Sequence, residues 1–233
     1  MKRALLILPI LLLAGCGGSD KADTVDNPPP ATSTATTAPA GAATVAATAT
    51  DSPIDPGALA KAVLTIDDIP TGYTVSEPGD SSDDDDICGV SEALKEPKNR
   101  ADATFGQSTF GPFIIQRIDL FNSRADAGTV LDGIRDSFKK CGASWSNTET
   151  PPTTWNISAL NFPRLGDETF AVRMTANNVP FFGTAQVDYV YIRRGPALTG
   201  LAWAAIGPAA AIPSPLEAVA KKADEKIAKA GIR

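Results

Sequence analysis

The chain contains no histidine. That absence removes Ser-His-Asp and Cys-His nucleophile systems and every zinc site that relies on an imidazole ligand. Cysteine is almost as scarce, with three in 233 residues. Three widely spaced cysteines cannot build a Cys-rich metal centre, so neither a metal nor a cofactor is implied. No dense run of Lys and Arg occurs, which argues against nucleic acid as a partner. No Gly-rich phosphate loop follows a predicted strand, and no Gly-x-Ser-x-Gly elbow is present. Apart from one short N-terminal stretch, no apolar run approaches the ~20 residues of a membrane-spanning helix.

That N-terminal stretch is informative. Lys2 and Arg3 precede an apolar run over residues 4–13, and Leu12-Leu13-Ala14-Gly15-Cys16 closes it in the form of a lipobox. The run has signal-peptide length. Residues 1–15 are therefore expected to be removed, with Cys16 carrying a diacylglycerol. One acyl chain binds a bilayer only marginally, and two meet the requirement for stable anchoring. The expected location is the cell membrane, lipid-anchored on its extracytoplasmic face, with the lipid bilayer as a partner through Cys16. Without residues 1–15 the net charge moves from −6 to −8. Cys88 and Cys141 then remain as an even pair in an oxidising compartment, and a disulfide between them is expected.

Residues 16–55 read as a tether. Between Pro28 and Thr50, 20 of 23 residues are Ala, Thr or Pro, a composition that cannot bury enough apolar surface to offset its ordering entropy. A flexible chain of this length spans roughly 35 Å, so the segment is expected to hold a domain off the bilayer. Residues 56–233 suit one domain. Asp55-Pro56 opens a short helix, and strands are predicted over about 104–110 and 113–121, joined across Gly111-Pro112. Ser123 and Asp126 start a helix whose stripe runs Ala127, Val130, Leu131, Ile134, Phe138 and Cys141. Strands over about 154–162, 167–176, 181–194 and 197–206 follow, with turns at Asn177-Asn178 and Arg194-Gly195-Pro196. Ser214-Pro215-Leu216-Glu217 reads as a capping box for a last helix burying Leu216, Val219, Ala220, Ala223 and Ile227. Its Lys221, Lys222, Lys226 and Lys229 are expected in water. The class is α+β: one mostly antiparallel sheet of about six strands with two to three packed helices, in the order α-β-β-α-β-β-β-β-α.

Candidate chemistry is thin. Ser137 and Lys140 have Ser-x-x-Lys spacing without the Lys-Thr-Gly partner. Asp83-Asp84-Asp85-Asp86 fails as an EF-hand loop, because Lys95 stands where the bidentate Glu belongs. Asp67-Asp68 and Asp167-Glu168 sit at element edges, as turn and cap residues do. No catalytic residue is expected, and the chain is not read as an enzyme. Two features bear on binding. Trp145 and Trp155 flank a Pro-containing connection, where exposed aromatics make a contact surface. Arg173 and Arg193 lie on strands predicted to be neighbours and would line a groove facing an acidic ligand.

Leu64-Thr65-Ile66-Asp67-Asp68-Ile69-Pro70-Thr71-Gly72-Tyr73 is similar to the "LLT-x-x-DLP-x-GY" opening of actinobacterial exported sensor-like domains. The helix ending in Cys141, the Leu165-Gly166-Asp167-Glu168 turn and the Ile192-Arg193-Arg194-Gly195 hairpin follow in matching order. Together they resemble the PknH-like extracellular sensor domains of mycobacteria and their lipoprotein relatives. The family's kinase sensor carries more cysteines than the one pair available here. The resemblance implies an α/β domain with a cleft for an extracellular ligand. The expected function is a monomeric, non-enzymatic ligand-binding or sensor-like lipoprotein, with a small-molecule or cell-wall ligand. The alternatives are a lipid or glycolipid carrier and an envelope scaffold.

Overall fold

The computed structural model describes residues 56–76, 86–148 and 151–233. The signal peptide, Cys16, the tether and Asp83-Asp84-Asp85 lie outside the described residues. Among the described residues eight strands form one antiparallel sheet: β1 (Thr74–Ser76), β2 (Asn99–Gly106), β3 (Phe113–Leu120), β4 (Ser144–Ser146), β5 (Thr154–Ala159), β6 (Glu168–Val179), β7 (Gly183–Arg194) and β8 (Ala197–Ile206). Their spatial order is β1-β2-β3-β8-β7-β6-β5-β4. The class is α+β as the periodicity predicts, with two more strands than expected. Both extra strands, β1 and β4, are three-residue edge pieces.

Among the described residues four α-helices accompany the sheet, α1 (Pro56–Ala62), α2 (Val90–Ala93), α3 (Arg124–Cys141) and α4 (Leu216–Lys229); the one beyond the two to three expected is the single turn α2. No helix among the described residues is long and apolar enough to cross a membrane. Ser123 caps α3 by accepting the Asp126 amide at 3.1 Å, which satisfies one of the free N–H groups of the first turn. Ala127, Val130, Leu131, Ile134 and Phe138 are buried against β6, β7 and β8. Fully burying a side chain of this kind contributes about 1.5–3 kcal/mol, so this stripe fixes α3 on one face of the sheet. Cys141 is only half-buried. It stands with Gly133 and Ser137 at i, i+4 and i+8 on the flank facing α2, rather than ending the core stripe.

The opposite face carries α4, with Leu216, Val219, Ala220 and Ala223 packed on Val190, Ile192, Leu201 and Trp203. Strand alternation explains the division. On β7, Val190 and Ile192 face α4, while Tyr189 and Tyr191 face α3. At its start, α4 departs from the expected capping box. Ser214 Oγ accepts the Leu216 amide, but Glu217 turns forward to Lys221 at 2.6 Å. Lys226 is not free in water either, since it bonds Asp68 at 2.5 Å. Asp68 in turn closes a capping box with Thr65.

The β6–β7 turn also differs from expectation. Asn177 and Asn178 lie within β6, at an irregularity between Ala176 and Val179. The reversal comes later, where Phe181 (φ 67°) and Gly183 (φ 77°) adopt left-handed backbone. Pro180, with its ring-fixed φ and no N–H donor, starts the turn.

Candidate binding groove

The floor of the site is built from small residues. On β8, Gly200 and Ala202 point toward α3, beside Ile115 of β3 and Tyr189 and Tyr191 of β7. Because these β8 side chains are short, helix and sheet do not meet along this line. A groove of about 170 Å³ is left, roofed by Val90 of α2, Leu94 just after it and Ile134 of α3. Arg117 and Asp119 close one end.

α2 is a single turn and cannot hold its place alone. Cys88 and Cys141 are joined, with Cα atoms 5.3 Å apart. Ser137 Oγ donates to the Gly89 carbonyl at 3.3 Å. A Cβ at Gly133 would stand 2.9 Å from Ala93 Cβ, so the absence of a side chain there lets α2 lie directly on α3.

An aromatic ladder runs along the groove. Phe138 meets Phe170 and Tyr189 at centroid distances of 5.8 and 6.4 Å, and Tyr191 stacks on Phe170 at 6.2 Å and on Tyr189 at 6.4 Å. Neither the Tyr189 nor the Tyr191 hydroxyl has a hydrogen-bond partner among the described residues. Both rings keep some exposure along the groove, yet most of each lies within the fold. Burial pushes Tyr189 up to about 12. It pushes Tyr191 higher still, with the charge of an ionised Tyr189 adding to the effect.

This has a measurable consequence. An unfolded tyrosine ionises near pH 10, while the folded pair holds its protons to higher pH. Between those values the native state binds more protons than the unfolded state, so stability falls as pH rises above 10. The slope is roughly 1.4 kcal/mol per pH unit for each tyrosine. Tyr73, also raised by burial, acts in the same sense. Urea midpoints should drop steeply between about pH 10 and 12, and Tyr189→Phe should flatten that drop. Midpoints level across this range would contradict the burial of these hydroxyls.

At the closed end, Asp119 accepts Arg100 Nε at 2.7 Å and Arg117 Nε at 2.9 Å. Burial nonetheless holds its carboxyl above the usual range, with the Arg100 hydrogen bond offsetting only part of the effect. The Nη groups of Arg117 have no hydrogen-bond partner among the described residues. They form a donor at the closed end of an otherwise apolar groove.

The residues expected from sequence to bind a ligand fall elsewhere. Arg173 grips buried Asp188 with Nε at 2.6 Å and Nη2 at 2.8 Å. Arg193 holds Glu168 with Nε at 3.0 Å and Nη2 at 2.6 Å, and Asp167 with Nη1 at 3.2 Å. Arg173 shares the α4 face with Val190, whereas Arg193 shares the α3 face with Tyr191. Their strands are neighbours, but the two guanidiniums do not line one groove, and both are already paired. The bonds from Arg193 and Arg135 hold Glu168 below the usual carboxylate range, as expected of a structural ion-pair cluster. Trp145 and Trp155 oppose each other across β4 and β5. Half-buried, they pack on the core beneath α3 and plug the sheet edge rather than forming a loop surface. Ser137 Oγ donates to the Gly89 carbonyl and makes no hydrogen bond to Lys140 among the described residues. Asp86 Oδ1 caps α2 through the Ser91 amide at 2.8 Å. No group of three or more acidic or thiol side chains is poised for a metal among the described residues.

The groove residues themselves, Tyr189, Tyr191, Ile115 and Arg117, escaped the sequence reading. The available signal was the alternation of Gly200, Ala202 and Ala204 with Leu201 and Trp203 on β8. One face of a central strand was left without bulk, in a neighbourhood of tyrosines.

No family model matches the sequence, and no curated protein matches it. Among solved structures, the chain is similar to the extracellular domain of PknH from Mycobacterium tuberculosis. The identity is 14% and the TM-score 0.48, over 67% of this chain and 78% of that one. It is also similar to a STAR-related lipid transfer protein from Xanthomonas axonopodis, at 13% identity and a TM-score of 0.27, over 69% of this chain and 97% of that one. Both are distant likenesses.

Proposed function

We propose that this chain is a lipid-anchored, non-enzymatic binding protein on the extracytoplasmic face of the cell membrane, acting as a monomer. The groove beneath α2 and α3 is its ligand site. The supporting observation is the groove's lining: apolar walls, a Gly200–Ala202 floor, and free donors at Tyr189, Tyr191 and Arg117. Such a lining suits a small, mostly apolar molecule with one hydrogen-bond acceptor.

Size bears on the carrier alternative. An apolar cavity of about 150 Å³ holds benzene, and drug-sized ligands occupy about 300–1,000 Å³. The groove, at about 170 Å³, therefore fits one ring or a short branched chain. A whole acyl lipid enters only if α2 lifts.

Native mass spectrometry of the protein purified from its own envelope is the test. A bound small molecule supports this reading, and a bound intact lipid replaces it with the carrier. Ala202→Phe places a ring in the groove and should weaken binding of benzoate-class fragments, followed by ligand-observed NMR, at least tenfold. An empty native protein that also binds no fragment, or fragment affinity unchanged in Ala202→Phe, would remove the site.

A further inference from the structure

We propose that the end of the sheet farthest from α1 is a membrane-contacting tip that dips aromatic side chains into the bilayer interface. Three turns meet there: the β2–β3 hairpin, the β6–β7 hairpin, and the 3-10 helix Gly207–Ala211 that follows β8. Their tips carry Phe110, Phe181, Phe182 and Ile212 with 62%, 102%, 41% and 54% of their surface exposed. Phe110 and Phe182, from different hairpins, pack with centroids 5.5 Å apart. The patch is thus one surface rather than scattered residues. Phe181 stands fully in solvent on a left-handed backbone that non-glycine residues rarely adopt. Exposing large aromatic side chains this way brings no gain in the isolated domain.

Charge separates a bilayer from other occupants. Segments 69–75, 104–116, 174–187 and 201–216, which supply this end, contain no Asp, Glu, Lys or Arg. The Arg100–Asp119–Arg117 and Asp167–Glu168–Arg193 clusters lie at the other end of the same strands. Among the described residues the domain is polarised along its strands, with an end of Phe, Pro, Gly, Ser, Thr and Asn free of charge. Amphipathic and aromatic groups are favoured where apolar chains give way to headgroups.

The proposal rests on the anchor reading only for its setting. The described chain starts at α1, packed near Leu120 and Ala197 at the charged end. A tip-down domain therefore needs a tether as long as its strands. β3 has eight residues, about 26 Å at the usual rise, a distance well within the contour length that a chain of about 40 residues can reach.

Cosedimentation with phosphatidylethanolamine/phosphatidylglycerol vesicles (3:1) tests the tip apart from the anchor, using the mature chain carrying Cys16→Ser. The unlipidated protein is expected to partition onto vesicles. Phe181→Ser alone should reduce partitioning about tenfold, and Phe110→Ser/Phe181→Ser/Phe182→Ser by about a hundredfold or more. Phe181 touches too little to affect folding, so its effect cannot be a stability artefact. No vesicle binding, or binding unchanged in both variants, overturns the proposal. Self-association without vesicles that Phe181→Ser abolishes also overturns it, assigning the tip to a second copy. Failure of the anchor reading is seen separately, as native protein whose intact mass lacks lipid.

Discussion

Reducing the Cys88–Cys141 bridge should lower the stability of the domain by about 4 kcal/mol, through the greater entropy of an unfolded chain freed of its cross-link. The bridge spans 53 residues, long enough for this term to be large. The effect will not be spread evenly. What the bridge holds is α2, a single turn resting on Gly133 and bonded to Ser137. Val90 of this turn and Leu94 directly after it roof the groove. Reduction should therefore release residues 86–94 first, seen as faster amide exchange there while β6, β7 and β8 stay protected. Fragment affinity should fall with the roof. Urea titration of oxidised and reduced protein, and of Cys88→Ser/Cys141→Ser, measures the loss. Equal midpoints together with equal fragment affinity would mean that the bridge neither supports the fold nor shapes the site. The extracytoplasmic location proposed above bears on this point, since an oxidising compartment would preserve the bridge that holds the roof.

Local pattern carried much of the fold. The spacing of Ala127, Val130, Leu131, Ile134 and Phe138 specifies α3 and its buried face, because nothing but a helix brings those positions together. Alternation did the same for β6, β7 and β8. Three-residue strands such as β1 and β4 offer too few positions for a period to show, so Trp145 read as a loop residue and its cross-strand pairing with Trp155 on the predicted strand was missed. The groove was illegible for a different reason. Its roof comes from residues 90–94 and its floor from β3 and the β7–β8 hairpin, three segments far apart in sequence. Register decided the arginines: Arg173 opposes Asp188, and Arg193 opposes Glu168. Because 168 and 173 are an odd number of residues apart on one strand, the two guanidiniums project from opposite faces. Neighbouring strands were correctly anticipated; a shared face was not.

Trp203→Ala should be the most damaging single substitution, at about 4 kcal/mol. The indole is 1% exposed and lies among Tyr73, Phe105, Ile114, Val190 and Leu201 on the α4 face. Its Nε1 donates to Tyr73 Oη at 3.2 Å. This contact gives a physical meaning to the Ile69-Pro70-Thr71-Gly72-Tyr73 turn: Gly72, at φ 96°, bends the chain so that Tyr73 covers Trp203 before β1 joins the sheet edge. Trp203→Phe keeps most of the buried area and loses the hydrogen bond, so a cost nearer 1 kcal/mol is expected. The pair of variants also tests how independent the two faces are. Trp203 and the groove floor at Gly200 and Ala202 belong to the same strand but project oppositely. Trp203→Phe should lower the urea midpoint while leaving fragment affinity in the groove unchanged. A parallel loss of affinity would show that β8 shifts as a unit, and that the tyrosine-capped core beneath the sheet sets the shape of the groove above it.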